Sequence, residues 1–285
     1  MDSDITHLKT FIRQALIEDI GDGDHTSLST IPAGQQGEAK LLVKDHGILA
    51  GVSVALEIFK AVDSALKVEV HISDGAEVQP GDIAFFVKGS VHSILAAERL
   101  VLNVMQRMSG VATTTHRVVK LLEGTDTKVL DTRKTTPGLR YLEKLAVKIG
   151  GGVNHRFGLY DMILIKDNHV DYAGGTAKAI EAAKSYIHAN GLNIPIEIEV
   201  RNISELNEVI NSSGVDRILL DNFAFDQLKE AVAVINKRFI TEASGGITED
   251  NVLEYAQCGV DYVSMGALTH SVKSLDMSLK AVESN

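Results

Sequence analysis

Residues 128–169 read KVLDTRKTTPGLRYLEKLAVKIGGGVNHRFGLYDMILIKDNH, and the spacing of their apolar residues changes twice. KVLD (128–131) and MILIK (162–166) are apolar runs of strand length. Between them Leu139, Leu142, Leu145, Ala146 and Ile149 recur at helical spacing, opposite a stripe of Arg140, Lys144 and Lys148 that is expected to be a solvated face. Strand, helix and strand in succession make a unit whose two strands run parallel. The alternation continues through IEIEV (196–200), RILLD (217–221), FITEA (239–243) and DYVSM (261–265), each followed by a helical segment. Six such units predict an α/β fold, and their number and spacing favour an incomplete (β/α) barrel over an open doubly wound sheet.

The chain upstream has a different rhythm. Leu8, Phe11, Ile12, Ala15 and Leu16 predict an amphipathic helix over 5–19, ended by EDIGDGDHTS. Gly21 and Gly23 follow a helix and lack a third glycine, so they read as a turn and not as a dinucleotide loop. A strand-like GEAKLLVKDHGILAG (37–51), a helical VSVALEIFKAV (52–62) and a strand pair, LKVEVHI (66–72) and IAFFVKG (83–89), then predict a small α+β domain. Residues 90–122 read as helix, with a break at Ser109 and Gly110 as the candidate hinge. The expected organisation is an N-terminal domain over 1–112, a barrel over 113–270, and a C-terminal helix over 271–285 that returns to the first domain.

Charge narrows the function. The chain carries a formal −10, yet residues 131–169 hold seven Lys or Arg against four Asp or Glu. One cationic segment in an acidic protein suits a small, multiply charged anion, whereas nucleic acid calls for a broad basic face. No apolar run approaches the ~18 residues of a membrane span. The acidic, polar start MDSDITHLKTF is unlike a signal peptide, so a cytoplasmic protein is expected. The single cysteine, Cys258, is expected to be a packed, inert thiol.

Barrels of this kind keep their working residues at the carboxyl ends of the strands. Those ends carry Asp131, Thr132, Arg133 and Lys134; then Lys166, Asp167, Asn168 and His169; then Glu199; then Asp221 and Asn222. The fifth delivers Ser244, Gly245 and Gly246, and the sixth Gly266 and Ala267 before a helix start at Thr269 and His270. Glycines after strands are either helix-opening turns or a phosphate cradle of backbone N–H groups. Glu199 and Asp221 either cap helices or bind magnesium or ribose hydroxyls. His155 and Arg156 follow Gly150, Gly151 and Gly152, where backbone can approach a ligand closely. Lys166 ends an apolar strand, a position from which a lysine binds an anion or attacks as an amine, as in a Schiff-base aldolase.

The motifs DTRKTTPGLR, GGGVNHRFGLYDMILIKDNH, EIEV, ILLDNF, EASGGI and SMGALTHS, in that order, resemble the quinolinate phosphoribosyltransferase family, the carboxylating nicotinate-nucleotide diphosphorylases of NAD biosynthesis. The resemblance extends to EDIGDGDHTS and LNVMQRMSGVAT and so covers nearly the whole chain. It implies an N-terminal open α/β sandwich, an incomplete barrel of the type II phosphoribosyltransferases, and a homodimer with shared active sites, with a trimer of dimers as the larger assembly. It implies that Arg107 from the neighbouring subunit joins Arg133, His155, Arg156 and Lys166 around the carboxylates of quinolinate. Lys134, Glu199, Asp221, Ser244, Gly245, Gly246, Gly266, Ala267 and His270 would face phosphoribosyl diphosphate and its magnesium, with Lys134, Lys166, Glu199 and Asp221 as the catalytic set and Glu199 and Asp221 as the metal side. A same-fold paralogue associated with molybdenum transport is the alternative that the resemblance leaves open.

Overall fold

The structure is a computed structural model that describes residues 2–282, with side chains from residue 6 onward. In chain order its elements are α1 (Asp2–Ile20), α2 (His25–Thr30), β1 (Gln36–Val43), β2 (Gly47–Ile48), α3 (Val52–Val62), β3 (Lys67–Val70), β4 (Glu77–Val78), β5 (Ile83–Ser90) and α4 (Val91–Leu121). There follow β6 (Lys128–Leu130), α5 (Arg140–Ile149), β7 (Ile163–Ile165), α6 (Asp167–Ala173), α7 (Thr176–Ala189), β8 (Ile196–Val200), α8 (Ile203–Ile210) and β9 (Arg217–Asp221). The last are α9 (Phe225–Ile235), β10 (Ile240–Ser244), α10 (Val252–Gln257), β11 (Tyr262–Ser264), α11 (Ala267–His270) and β12 (Met277–Ala281). Among the described residues no helix is long and apolar enough to cross a membrane.

The chain divides into two compact units. The first comprises Met1–His116, Thr135–Gly151 and Leu268–Asn285, and the second Arg117–Lys134 and Gly152–Ala267.

In the first unit an antiparallel sheet has the order β12-β1-β5-β3, and the short β2 and β4 pair beside it. Alternate residues of the strands, Leu41 and Val43 on β1 and Phe85 and Val87 on β5, are buried with Ile58 and Phe59 of α3. Phe59 meets Phe85 edge to face at 5.7 Å, and truncating either ring would cost about 3–5 kcal/mol.

Three expectations are corrected here. The helix before the barrel does not break at Ser109 and Gly110: α4 runs unbroken for 31 residues. Ser109 is fully buried, where its Oγ accepts the N–H of Ala50 at 2.8 Å and donates to the Ala50 carbonyl. A Cβ on Gly110 would collide with the Lys273 carbonyl, so this glycine admits a neighbouring chain and gives no hinge. That neighbour is the C-terminal segment, which is a strand and not a helix. Leu275 donates to the Gln106 carbonyl at 3.0 Å, and β12 then pairs antiparallel with β1. Leu275, Met277 and Leu279 are buried at period two, a pattern that sequence reading confused with a helical face. Residues 283–285 of the expected helix lie outside the described residues.

The third correction concerns the basic stripe on α5. Lys148 is exposed, but Lys144 is buried to 2%. α5 is covered on most sides, with α1 packed on it and Gly150 so close to Ala112 and Thr115 that a Cβ would not fit. A one-sided helix was the wrong premise.

The second unit is the barrel. Its parallel sheet has the order β6-β11-β10-β9-β8-β7. The last strand therefore pairs with the first, which a doubly wound sheet does not do. Between β6 and β7 the ladder is open except for a bridge between Leu130 and Val153. Side chains alternate in and out along each strand. Glu197 and Glu199 on β8, Arg217, Leu219 and Asp221 on β9, and Glu242 and Ser244 on β10 thus share a face. On each strand a residue at the carboxyl end stands two positions beyond one that is deeper inside.

Candidate active site

The deep layer is charged. Glu197 and Glu242 are 0% and 1% exposed. The His155 Nε2 lies 2.9 Å from Glu197 and 3.4 Å from Glu242. Arg217 donates from Nη1 to Glu242 at 3.1 Å and stacks 4.8 Å over the Tyr262 ring. Among the described residues, His155, Glu197 and Glu242 form the one group of three or more such side chains whose atoms lie close enough to hold a metal together. Arg217 already supplies the cation there, so the cluster reads as an internal ion network.

Two carboxylates and one guanidinium leave this layer one negative charge in excess, and dry interiors do not hold net charge cheaply. An additional proton restores balance. Burial alone would lower the His155 pKa, but contact with Glu197 and Glu242 reverses this and carries it to about 9. Burial and the Glu242 charge likewise push Glu197 upward. The His155 Nδ1 lies 2.7 Å from the Arg156 nitrogen and Nε2 faces both carboxylates, so the additional proton belongs to the His155, Glu197 and Glu242 cluster as a whole. A raised folded pKa contributes stability that is full below the ordinary histidine value of 6.5 and is lost as pH rises through about 9. The melting temperature should fall over that window, and Glu242→Gln, which removes the excess charge, should flatten the fall. Parallel melting curves for the two proteins would contradict the assignment.

This layer supports the cationic wall. The buried Asp131 carboxylate accepts the His155 N–H at 2.8 Å, and His155 in turn receives the Arg156 N–H. The Arg156 guanidinium donates to the Met162 carbonyl at 3.2 Å. Burial lowers its pKa, and so does the charge of Arg133, which places the two guanidinium groups near one another. Asp161 closes the loop by accepting the N–H groups of Phe157 and Gly158 at 2.6 and 2.8 Å. Arg133 and Lys134 are exposed after β6, where the Lys134 N–H donates to the Thr132 hydroxyl.

The acidic pair stands at the ends of β8 and β9. Glu199 is half-buried, and its pKa is raised by burial and by the Asp221 charge, with Lys166 opposing. Lys166 Nζ is 3.8 Å from Glu199 Oε2 and its side chain is half exposed. It precedes α6, where its N–H donates to His169 Nδ1 at 3.0 Å. Beside Asp221, Ser244 ends β10 and pairs with it in register. Gly245 and Gly246 follow with φ of 98° and 63°, so the turn needs glycine. Gly266 and Ala267 are half-buried after β11, at the start of the four-residue α11.

Two site candidates belong to the first unit. Arg107 donates to the buried Glu143 from Nε at 3.0 Å and Nη2 at 2.7 Å, and reaches the Thr136 hydroxyl and the carbonyls of Thr269 and Val272. His270 is exposed at the end of α11, with Nδ1 2.6 Å from the Ser271 hydroxyl. Cys258 is buried and its thiol pKa is raised by burial, as an inert thiol requires.

Sequence reading missed Glu197, Glu242 and Arg217. The signal for the first was in IEIEV: if Glu199 faces the barrel mouth, Glu197 must face the interior beneath it.

Residues 24–109 match the N-terminal domain of quinolinate phosphoribosyl transferase and residues 111–280 its C-terminal domain. The chain is 48% identical over 288 residues to quinolinate phosphoribosyltransferase [decarboxylating] 1b of Nicotiana tabacum, covering 96% of this chain and 82% of that one. It is 43% identical over 278 residues to the probable nicotinate-nucleotide pyrophosphorylase [carboxylating] of Bacillus subtilis, covering 98% and 94%. The nicotinate-nucleotide pyrophosphorylase structure from Francisella tularensis superposes with a TM-score of 0.90 at 39% identity, covering 97% and 96%. Human nicotinic acid phosphoribosyltransferase, at TM-score 0.62 and 14% identity, shares the fold. With both domain models matched and relatives this similar over nearly its full length, the chain belongs to the quinolinate phosphoribosyltransferase family.

Proposed function

We propose that the protein converts quinolinate and phosphoribosyl diphosphate to nicotinate mononucleotide, diphosphate and carbon dioxide, a step of NAD biosynthesis. One observation supports the reading: the barrel carries Arg133 and Lys134 after β6, Arg156 in the loop before β7, Lys166 beside the acidic pair Glu199 and Asp221, and a glycine turn after β10, the chemistry of an anionic ring beside a phosphorylated sugar. Arg133, Arg156 and Lys166 bind the two carboxylates and hold the pyridine nitrogen toward the anomeric carbon. Lys134 and the turn at Ser244, Gly245 and Gly246 take the phosphates, with Gly266 and Ala267. His155 acts from behind, through the Arg156 backbone.

The nitrogen attacks as diphosphate leaves, so positive charge develops on the ribose ring and negative charge on the departing oxygens. Glu199 and Asp221 hold the ribose hydroxyls or the metal next to that positive ring. Magnesium fits them, since burial and mutual repulsion already raise the Glu199 pKa and a divalent cation relieves both. When bound, it neutralises charge on the diphosphate. Once quaternised, the pyridinium stabilises the electron pair left on the adjacent ring carbon as its carboxylate departs as carbon dioxide, and a proton from water then takes that position, so no organic cofactor is needed. The Schiff-base alternative asks for a desolvated amine, and Lys166 is instead half exposed and paired with Glu199.

The homodimer belongs to the same proposal: Arg107 of one subunit completes the site of its partner, where two-fold symmetry places it twice. Incubating the purified protein with magnesium and both substrates tests the reading. Nicotinate mononucleotide should accumulate with diphosphate, and no pyridine nucleotide would overturn it.

A further inference from the structure

Three described non-glycine residues have positive φ: Asn222, Asn236 and Lys237. Asn236 caps the C-terminus of α9 and Lys237 follows it, where left-handed backbone is ordinary. Asn222 ends no helix. It follows β9 at φ 55°, exposed at the barrel mouth, and its strained backbone calls for another explanation.

Its contacts supply one. The Asn222 N–H donates to the Ser244 carbonyl at 2.8 Å, which extends the β9–β10 ladder one step beyond the strands. Its Nδ2 donates to Asp221 Oδ2 at 2.6 Å. Its side chain and N–H lie so close to the Cα of Gly245 that a Cβ there would collide with both. One residue therefore holds the carboxylate at the end of one strand and seats the glycine turn at the end of the next. Asparagine is suited to this: it tolerates left-handed backbone better than other side chains that carry a donor, and its amide provides that donor.

We propose that Asn222 is a positioning residue that couples Asp221 to the turn at Ser244–Gly246, so that the sugar and phosphate sides of the phosphoribosyl diphosphate subsite are set by one side chain. The inference rests on the transferase reading and deepens it. Without the Nδ2 contact the Asp221 carboxylate rotates freely, and without the left-handed step the turn loses its seat.

Two variants separate these effects from general instability. Asn222→Gly keeps the backbone and removes the amide, whereas Asn222→Asp keeps shape and backbone tolerance but sets an oxygen against Asp221. Calorimetry measures phthalate, which has two adjacent carboxylates and no ring nitrogen, and then magnesium phosphoribosyl diphosphate in saturating phthalate. Both variants should lose about tenfold or more in affinity for phosphoribosyl diphosphate, the scale of one charge-assisted hydrogen bond, with Asn222→Asp the weaker. Phthalate affinity and melting temperature should match wild type. Unchanged binding of phosphoribosyl diphosphate, or equal weakening of both ligands, overturns this proposal alone. Wild-type protein that binds phthalate but no phosphoribosyl diphosphate overturns the transferase reading, and this proposal with it.

Discussion

Lys134→Ala and Arg156→Ala should each lower kcat/KM by roughly 10²–10³, the cost of removing one preorganised charge contact from a reacting site, and should do so through different substrates. Arg156 is fixed in a chain that begins in the barrel interior: Glu197 and Glu242 hold the His155 ring, and that ring receives the Arg156 N–H. It stands near Arg133, whose charge depresses its pKa after burial has done so. Two guanidinium groups whose charges act on one another fit a ligand with two adjacent carboxylates. Lys134 is exposed next to Arg133 in the chain, and its N–H donates to the Thr132 hydroxyl. Binding measured with phthalate should therefore collapse in Arg156→Ala and persist in Lys134→Ala, and phosphoribosyl diphosphate should show the reverse. Equal losses for both ligands in both variants would mean that the two cations share one ligand.

The second large effect is recovery from inactivity. Arg107→Ala and Lys166→Ala should each be inactive alone. When their subunits exchange, a hybrid dimer combines the intact Lys166 of one chain with the intact Arg107 of the other at one of its two sites. Random equal mixing makes about half of the dimers hybrid, so roughly a quarter of all sites should recover. The rival account comes from the structure itself. Arg107 is bound to Glu143 and to three further acceptors within its own unit, as a purely structural residue would be. If that is its whole role, every site keeps one defect and the mixture stays as inactive as its parents after exchange is confirmed.

The barrel was legible because its strands carry period-two or continuous apolar runs with polar ends. IEIEV and RILLD were bounded to the residue, and the other four strands within two. The strand-end positions of Arg133, Lys134, Lys166, Glu199, Asp221 and Ser244 followed from one rule about barrels. What was hidden depended on contacts far apart in sequence. Gly110 looked like a helix break because its partner, the Lys273 carbonyl, is remote in the chain. SVKSLDMSLKAV places apolar residues where either a helix or a strand could use them, and only the backbone bonds to Gln106 and β1 decide for a strand. Lys144 was assigned to solvent because a helix wheel assumes one covered face. Glu242 was overlooked because FITEA was read for its polar end, although a glutamate two residues before Ser244 must enter the barrel. Asn222 was noted at a strand end, but its left-handed backbone and its hold on Gly245 have no sequence signature beyond the adjacent glycines.

On the proposed reading, Arg133, Arg156 and Lys166 are built for a pyridine dicarboxylate whose carboxylate is lost once its nitrogen is quaternised. Quinolinate labelled with ¹³C in the carboxylate next to the ring nitrogen tests it most directly, with nicotinate as the competing substrate. Labelled carbon dioxide and diphosphate should be released in equal amounts from quinolinate, while nicotinate, which leaves part of the wall unpaired, should turn over poorly or not at all. Efficient turnover of nicotinate, or diphosphate release from quinolinate without labelled carbon dioxide, would contradict the account.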